Sequence, residues 1–457
     1  MKKMRFLSVL LAVLMIVALT GCVGSAGSST AEPASTADSG AESASDSTSA
    51  SSGNTITYAS MWTESEPQAL WLADLAKSYE AEKGTKVEIT WVGRDVLNQV
   101  KTQILAGNAP DLIDQDHSEL SAAFLSEDEQ LIMPLDDLLN GPGPEGEATF
   151  REVFNTAFLD LYKFQDHDYF VPYNLITSGF YYNKTMWDEM GIKAPQTWDE
   201  FIALIDTFKA AGKSLCAQDN DPMYNAYWYY WACERVMGAG KLYAAATDAT
   251  GAAWDDPGYL EAAKLVYEVS KGDKNAFQAG YEGSVWPAGQ QDFALGNEGC
   301  LLCGTWIPVE LKDTVDSNWE WGYFPFPTVE GGVGQVTDME AYLIGFCIPN
   351  GAKNPDGAKD FLLYISTSEH AQGLVNNALC MHARADAPIP SVLAEVEPYL
   401  KNAKSFHLSY DGVASKCGQW NADVFYTYGN QLFHGEITPE EFISQMKAAT
   451  IAFYANK

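Results

Sequence analysis

From Ile56 to Asp114 the sequence alternates between two spacings of apolar residues. Ile56 to Ala59 reads as a short strand. Pro67 to Lys83 sets Leu72, Leu75, Ala76 and Tyr79 on one helical face and stops at Gly84. Val87 to Val92 is again a strand, Val96 to Leu105 a second helix ending at Gly107, and Pro110 to Asp114 a strand that opens into a polar loop. Strand, helix, strand, helix, strand predicts a parallel sheet covered on both faces. The alternation restarts later. Thr197 and Glu200 form a capping box ahead of Phe201, Ile202, Ile205 and Phe208, and Thr438-Pro439-Glu440-Glu441 repeats the device ahead of Phe442, Ile443 and Met446. Tyr342 to Pro349 reads as a buried strand, followed by a helix in "NPDGAKDFLLYI". No solenoid-type repeat is present, so the chain divides into two α/β lobes.

The first fifty residues lie outside that pattern. Lys2, Lys3 and Arg5 precede an apolar run from Phe6 to Leu19, too short to span a bilayer and patterned as a secretory signal. Ala18-Leu19-Thr20-Gly21-Cys22 places small residues directly before a cysteine and resembles a lipoprotein lipobox, with Cys22 as the lipidated residue. Val23 to Gly53 is Ser, Ala, Thr and Gly with a few acids, a composition that cannot offset its own ordering entropy. As a coil it reaches on the order of 30 Å on average, so it acts as a tether.

The chain carries 61 acidic residues against 28 basic ones, a formal charge of −33, and three of the basic residues lie in the signal. That charge opposes nucleic acid and anionic membrane surfaces as partners. Seven cysteines follow Cys22: Cys216, Cys233, Cys300, Cys303, Cys347, Cys380 and Cys417. An odd number without a dense framework predicts mostly buried thiols with at most one bridge. Cys300-x-x-Cys303 has no second CxxC or nearby His to complete a zinc or redox site.

Catalytic signatures fail when tested. "TFKAAGKS" (Thr207 to Ser214) has Thr207 where a P-loop needs glycine, and it follows a helix instead of opening one. "GGVGQV" (Gly331 to Val336) lacks the third glycine of a dinucleotide fingerprint and reads as a mobile connection. Asp114-x-Asp116-x-Ser118 starts like a calcium loop, but Glu119 occupies the glycine position. No cofactor or metal is implied. Paired carboxylates for glycoside hydrolysis remain open, since acids abound and no pair stands out.

The positive signal is aromatic: 13 Trp, 23 Tyr and 21 Phe, many beside residues that end strands and helices. Trp62, Tyr227, Trp228, Trp306, Tyr342 and Trp420 all occupy such places. Sugars present flat C–H faces rimmed by hydroxyls, and aromatic platforms flanked by carboxylates and amides match them. Core packing is the competing role for each ring.

"YFVPYNLITSGFYYNKTMWDEMGIKAPQTWDEF" (Tyr169 to Phe201) resembles the carbohydrate-type extracellular solute-binding proteins of ABC importers. "AGNAPDLI", "GNEGCLLCGTW", "WGYFPFP" and "NPDGAKDFLLYI" follow the family's order, so the likeness covers nearly all of the chain after the tether. The resemblance implies a two-lobed α/β fold with ligand in an interlobe cleft and hinge closure. It implies a signal over 1–21, a lipidated tether over 22–53, a first lobe of 54–172 plus 337–395 and a second of 173–336 plus 396–457. Crossings fall near Phe170 to Asn174, Thr328 to Thr337 and residue 395. Trp306 and Trp420 resemble second-lobe platforms, Trp62 and the Asp116-His117 loop the first-lobe wall, Tyr227 or Trp228 a further stacking face, and Glu340 and Tyr342 a polar rim. The implied protein is a monomeric, non-enzymatic receptor on the outer face of a Gram-positive cell membrane. It is held there by lipid alone, takes a mono- or oligosaccharide, and delivers it to ABC permease subunits. A tethered glycoside hydrolase or lyase, and a receptor for a non-sugar polar solute, are the competing readings.

Overall fold

In the computed structural model the described residues are 55–126, 128–271 and 274–456, so Cys22, the signal and the tether lie outside them. The chain begins with β1 (Thr55–Ser60), α1 (Pro67–Lys83), β2 (Lys86–Trp91), α2 (Val96–Leu105), β3 (Leu112–Asp116) and α3 (His117–Phe124). Pro67 opens α1 at a position where its missing N–H costs nothing, and Gly84 closes it at φ 70°. The Asp116 carboxylate caps α3 by accepting from the backbone N–H groups of Ser118 and Glu119.

Then come β4 (Val171–Ile176), β5 (Ser178–Asn183), α4 (Trp198–Ala210), β6 (Ser214–Ala217), α5 (Pro222–Met237), β7 (Glu298–Gly304) and β8 (Trp321–Phe324). The chain finishes with β9 (Asp338–Glu340), β10 (Tyr342–Cys347), α6 (Pro355–Ile365), β11 (Met381–His382), β12 (Ser405–His407) and α7 (Pro439–Ala455). Both capping boxes form, Thr197 with Glu200 on α4 and Thr438 with Glu441 on α7.

Two principal sheets result. The first has strand order β11-β4-β10-β3-β1-β2 and the second β6-β7-β5-β8. β2, β1 and β3 are parallel, as the alternation predicts, but β10 runs antiparallel to both β3 and β4, so the first sheet is mixed. The chain leaves β4 for the second sheet at one end of the first, and β10 returns beside it from that end, so it must run the opposite way. β9 and β12 form a separate two-stranded parallel pair.

Sheet membership changes at Thr177, at Ala341 and just beyond β12. The predicted crossing at Phe170 to Asn174 falls on β4, whose residues Val171, Pro172 and Asn174 to Ile176 pair within the first sheet. After residue 395 the chain touches the second sheet, Glu395 pairing with Lys184 and Tyr399 packing on Tyr323, before β12 joins β9 outside both principal sheets. The glycines of Gly331 to Gly334 are not a loose connection. A Cβ on Gly334 would meet the Glu234 carbonyl at 2.3 Å, and one on Gly332 the Arg235 carbonyl at 2.4 Å, so this segment lies flat on the end of α5.

Six cysteines, Cys216, Cys233, Cys300, Cys303, Cys347 and Cys380, are buried free thiols. Cys216 and Cys300 pair across β6 and β7 with their sulfurs 3.5 Å apart. No helix among the described residues is long and apolar enough to cross a membrane.

Candidate functional site

The carboxyl ends of β1, β3 and β4 and the start of β10 open into a cavity of about 910 Å3, whose far wall comes from β7, α5 and the segments after them. A crevice at strand carboxyl ends is where open α/β sheets place ligands. Six of the nine sequence-chosen residues line it: Trp62, Asp116, Tyr227, Trp306, Glu340 and Tyr342.

Trp62 follows β1 and is fixed on all sides. Its indole N–H donates to the Tyr173 hydroxyl at 2.7 Å, and that hydroxyl donates to Oδ2 of Asp114 at 2.7 Å. The Arg94 guanidinium lies 4.7 Å over the ring while donating to the Met61 carbonyl and pairing with Glu66. Asp114 also accepts from the Met61 N–H, so its carboxylate is committed to structure instead of to a cation.

Trp306 and Tyr342 meet from opposite sheets, ring centroids 6.5 Å apart at 57°. Trp306 can lie there only because residue 304 is glycine, since a Cβ would sit 2.0 Å from the indole. Tyr227, on α5, donates to Oε2 of Glu340, which also accepts from Ser178. Glu340 thus ties the end of β9 to the start of β5 and to α5. Its Oε1 is buried and has no hydrogen-bond partner among the described residues. Burial raises the carboxyl pKa of Glu340, and does the same for Glu310 and for the neighbouring Asp116 and Glu119. Beyond β12 the chain passes through three left-handed residues, Tyr410 at φ 50°, Asp411 at 56° and Gly412 at 78°, which brings Tyr410 onto the cavity wall.

Three chosen residues are elsewhere, and these assignments are corrected. His117 sits behind the wall on the inward face of α3, its Nε2 bonded to the Tyr162 carbonyl at 3.0 Å and its ring edge-on to Tyr162 and Phe170. Trp228 is 1% exposed and donates to Gln218 inside the second-lobe core. It follows Tyr227 on a helix, where neighbours point about 100° apart, so only one of the two can face the cavity. Trp420 is fully buried, stacked on Phe425 and Trp254, with its N–H donating to Thr450.

Sequence reasoning missed Arg94, Glu310, Tyr410 and Trp286, all on the wall. Trp286 carried a usable signal, a tryptophan beside proline in a turn between glycine-rich stretches.

Comparison with known proteins agrees with this architecture. The family model described as bacterial extracellular solute-binding protein matches residues 62–372. The diacetylchitobiose binding protein NgcE of Streptomyces coelicolor is 26% identical over 285 residues, 61% of this chain and 59% of its own length, so the match spans under two thirds of that relative. The multiple sugar-binding protein of Streptococcus mutans is 26% identical over 66% of this chain and 69% of its own. These relatives are named as binding proteins rather than enzymes. Among solved structures, one from work on xylan utilization by Caldanaerobius polysaccharolyticus aligns with TM-score 0.72 at 22% identity, covering 86% of this chain and 99% of that one. Apo RafE from Streptococcus pneumoniae aligns with TM-score 0.65 at 20% identity, covering 88% and 98%. The fold is two-lobed like theirs, and the chain belongs to the bacterial extracellular solute-binding protein family.

Proposed function

We propose that this protein is the lipid-anchored receptor of an ABC sugar importer, capturing an oligosaccharide between its lobes. The observation that carries the reading is a cavity in which aromatic rings from both walls, Tyr342 of β10 on one side and Trp306 after β7 and Tyr227 of α5 on the other, stand among carboxylates. Two relatives named for diacetylchitobiose and multiple sugars, and structural neighbours solved with raffinose and stachyose, support the choice of ligand class. The unpaired Oε1 of Glu340 suits a ligand hydroxyl, because an unmet buried acceptor costs about 1–3 kcal/mol that such a donor relieves.

The mechanism is differential binding. A glycan touching both walls favours the closed arrangement over the open one by the contacts that only closure completes. Bending is assigned to Thr177, Ala341 and the segment after β12, where the chain passes between sheets. Micromolar capture needs about 8 kcal/mol net, which a few stacked rings and charge-assisted hydrogen bonds in a desolvated cleft supply. The anchor at Cys22 and delivery to a permease complete the reading and rest on the sequence.

A thermal-shift screen of the purified protein against a glycan panel tests it. A rise in melting temperature with intact glycan recovered afterwards supports the receptor; no shift with any glycan, or steady release of products, overturns it.

A further inference from the structure

Trp286 differs from every other tryptophan in the chain. It is 51% exposed, the only one of the 13 that keeps a large open surface, and it stands on the cavity wall next to Val285, 75% exposed. The ring is also tethered. Its N–H donates to Oε1 of Gln290 at 3.2 Å, and the buried Gln290 amide donates in turn to Oε2 of Glu310 at 3.1 Å, itself on the wall. A large apolar face left in water yet tied to the wall through Gln290 and Glu310 has less rotamer freedom to lose when a ligand stacks on it. Leu70 and Met223, also exposed, line the same cavity.

The cavity is larger than one sugar requires. Even if each of a hexose's roughly twelve heavy atoms took the ~30 Å3 of a liquid water molecule, one ring would fill less than half of it. Tyr227 bonds Glu340, and Trp306 packs on Tyr342, so these rings are tied into the site, whereas Trp286 alone among the wall tryptophans is more than half exposed.

We propose that Trp286 is an outer stacking subsite for the second and later rings of an oligosaccharide, and that it sets the preference for chain length. This rests on the sugar-receptor reading and goes beyond it, because the inner rings alone would take a short glycan equally well.

The test is calorimetric titration of the full chain with two ladders: N-acetylglucosamine oligomers from disaccharide to tetrasaccharide, and sucrose, raffinose and stachyose. The wild type should bind the longer members of one ladder more tightly. Trp286→Ala should lose about tenfold for the tetrasaccharide while staying within about twofold for the disaccharide, and Trp286→Phe should recover most of the loss. Equal loss at every length, or none, with the wild type still binding sugar, overturns the subsite alone. Failure of the wild type to bind either ladder or the wider glycan panel overturns the receptor reading and the subsite together. Circular dichroism of both variants, unchanged from wild type, excludes misfolding as the cause.

Discussion

Gly304 and Trp306 are related by contact rather than by sequence alone: the indole lies across the glycine so closely that a methyl group there would sit 2.0 Å from its ring. The end of β7 therefore fixes where the platform opposite Tyr342 can stand. Gly304→Ala should push the ring off its seat, weakening sugar binding by about 1–2 kcal/mol although every aromatic residue is retained. Its overpacking cost to stability should be about 1–3 kcal/mol, read from the urea midpoint. Unchanged affinity would mean that the ring position is irrelevant to the ligand.

Trp420 serves the core, so its loss should register in folding. Trp420→Ala removes a fully buried ring from between Phe425 and Trp254 and should cost about 3–5 kcal/mol of stability. At temperatures where the variant is folded, its glycan affinity should match wild type. A stable variant with weakened binding would return Trp420 to the site.

Asp116 gives a pH signature. Burial, then the charge of Glu119, raises its carboxyl to about 7. The folded chain thus holds a proton that the unfolded chain has released, and this contribution is complete below the ordinary carboxylate range and lost as pH rises toward 7. Asp116→Asn preserves a capping side chain but cannot titrate. In ligand-free unfolding experiments, the stability of wild type relative to this variant should fall between about pH 4 and 7. A flat or rising difference contradicts the assignment.

Cys22→Ser tests the anchor. In the native host, labelling with a fatty-acid probe should mark the wild-type protein and leave the variant unmarked, with the variant shed or retained as precursor. Label persisting on the variant would refute the lipobox.

Elements were legible where local chemistry marks them. Pro67 and Gly84 bound α1 at the residues where the sequence places it, and both Thr-x-x-Glu boxes begin helices. The passage between sheets at Ile176-Thr177-Ser178 carries no local mark, because it runs through buried residues with no turn former. The glycines that suggested a hinge are there for close packing on α5. Aromatic density pointed to the cavity but could not separate wall from core. Tyr227 and Trp228 are adjacent, and only the helix phase decides between them. Arg94 and Glu310 come from distant segments and meet the rings only after folding.

Calorimetric titration of a bound oligosaccharide into wild type and Trp306→Ala tests the central claim most directly. The account predicts a saturable, one-to-one binding heat for wild type, weakened by about 1–3 kcal/mol in the variant, with the glycan recovered intact. Identical isotherms for the two proteins, or heat that continues after saturation as bonds are broken, would contradict it.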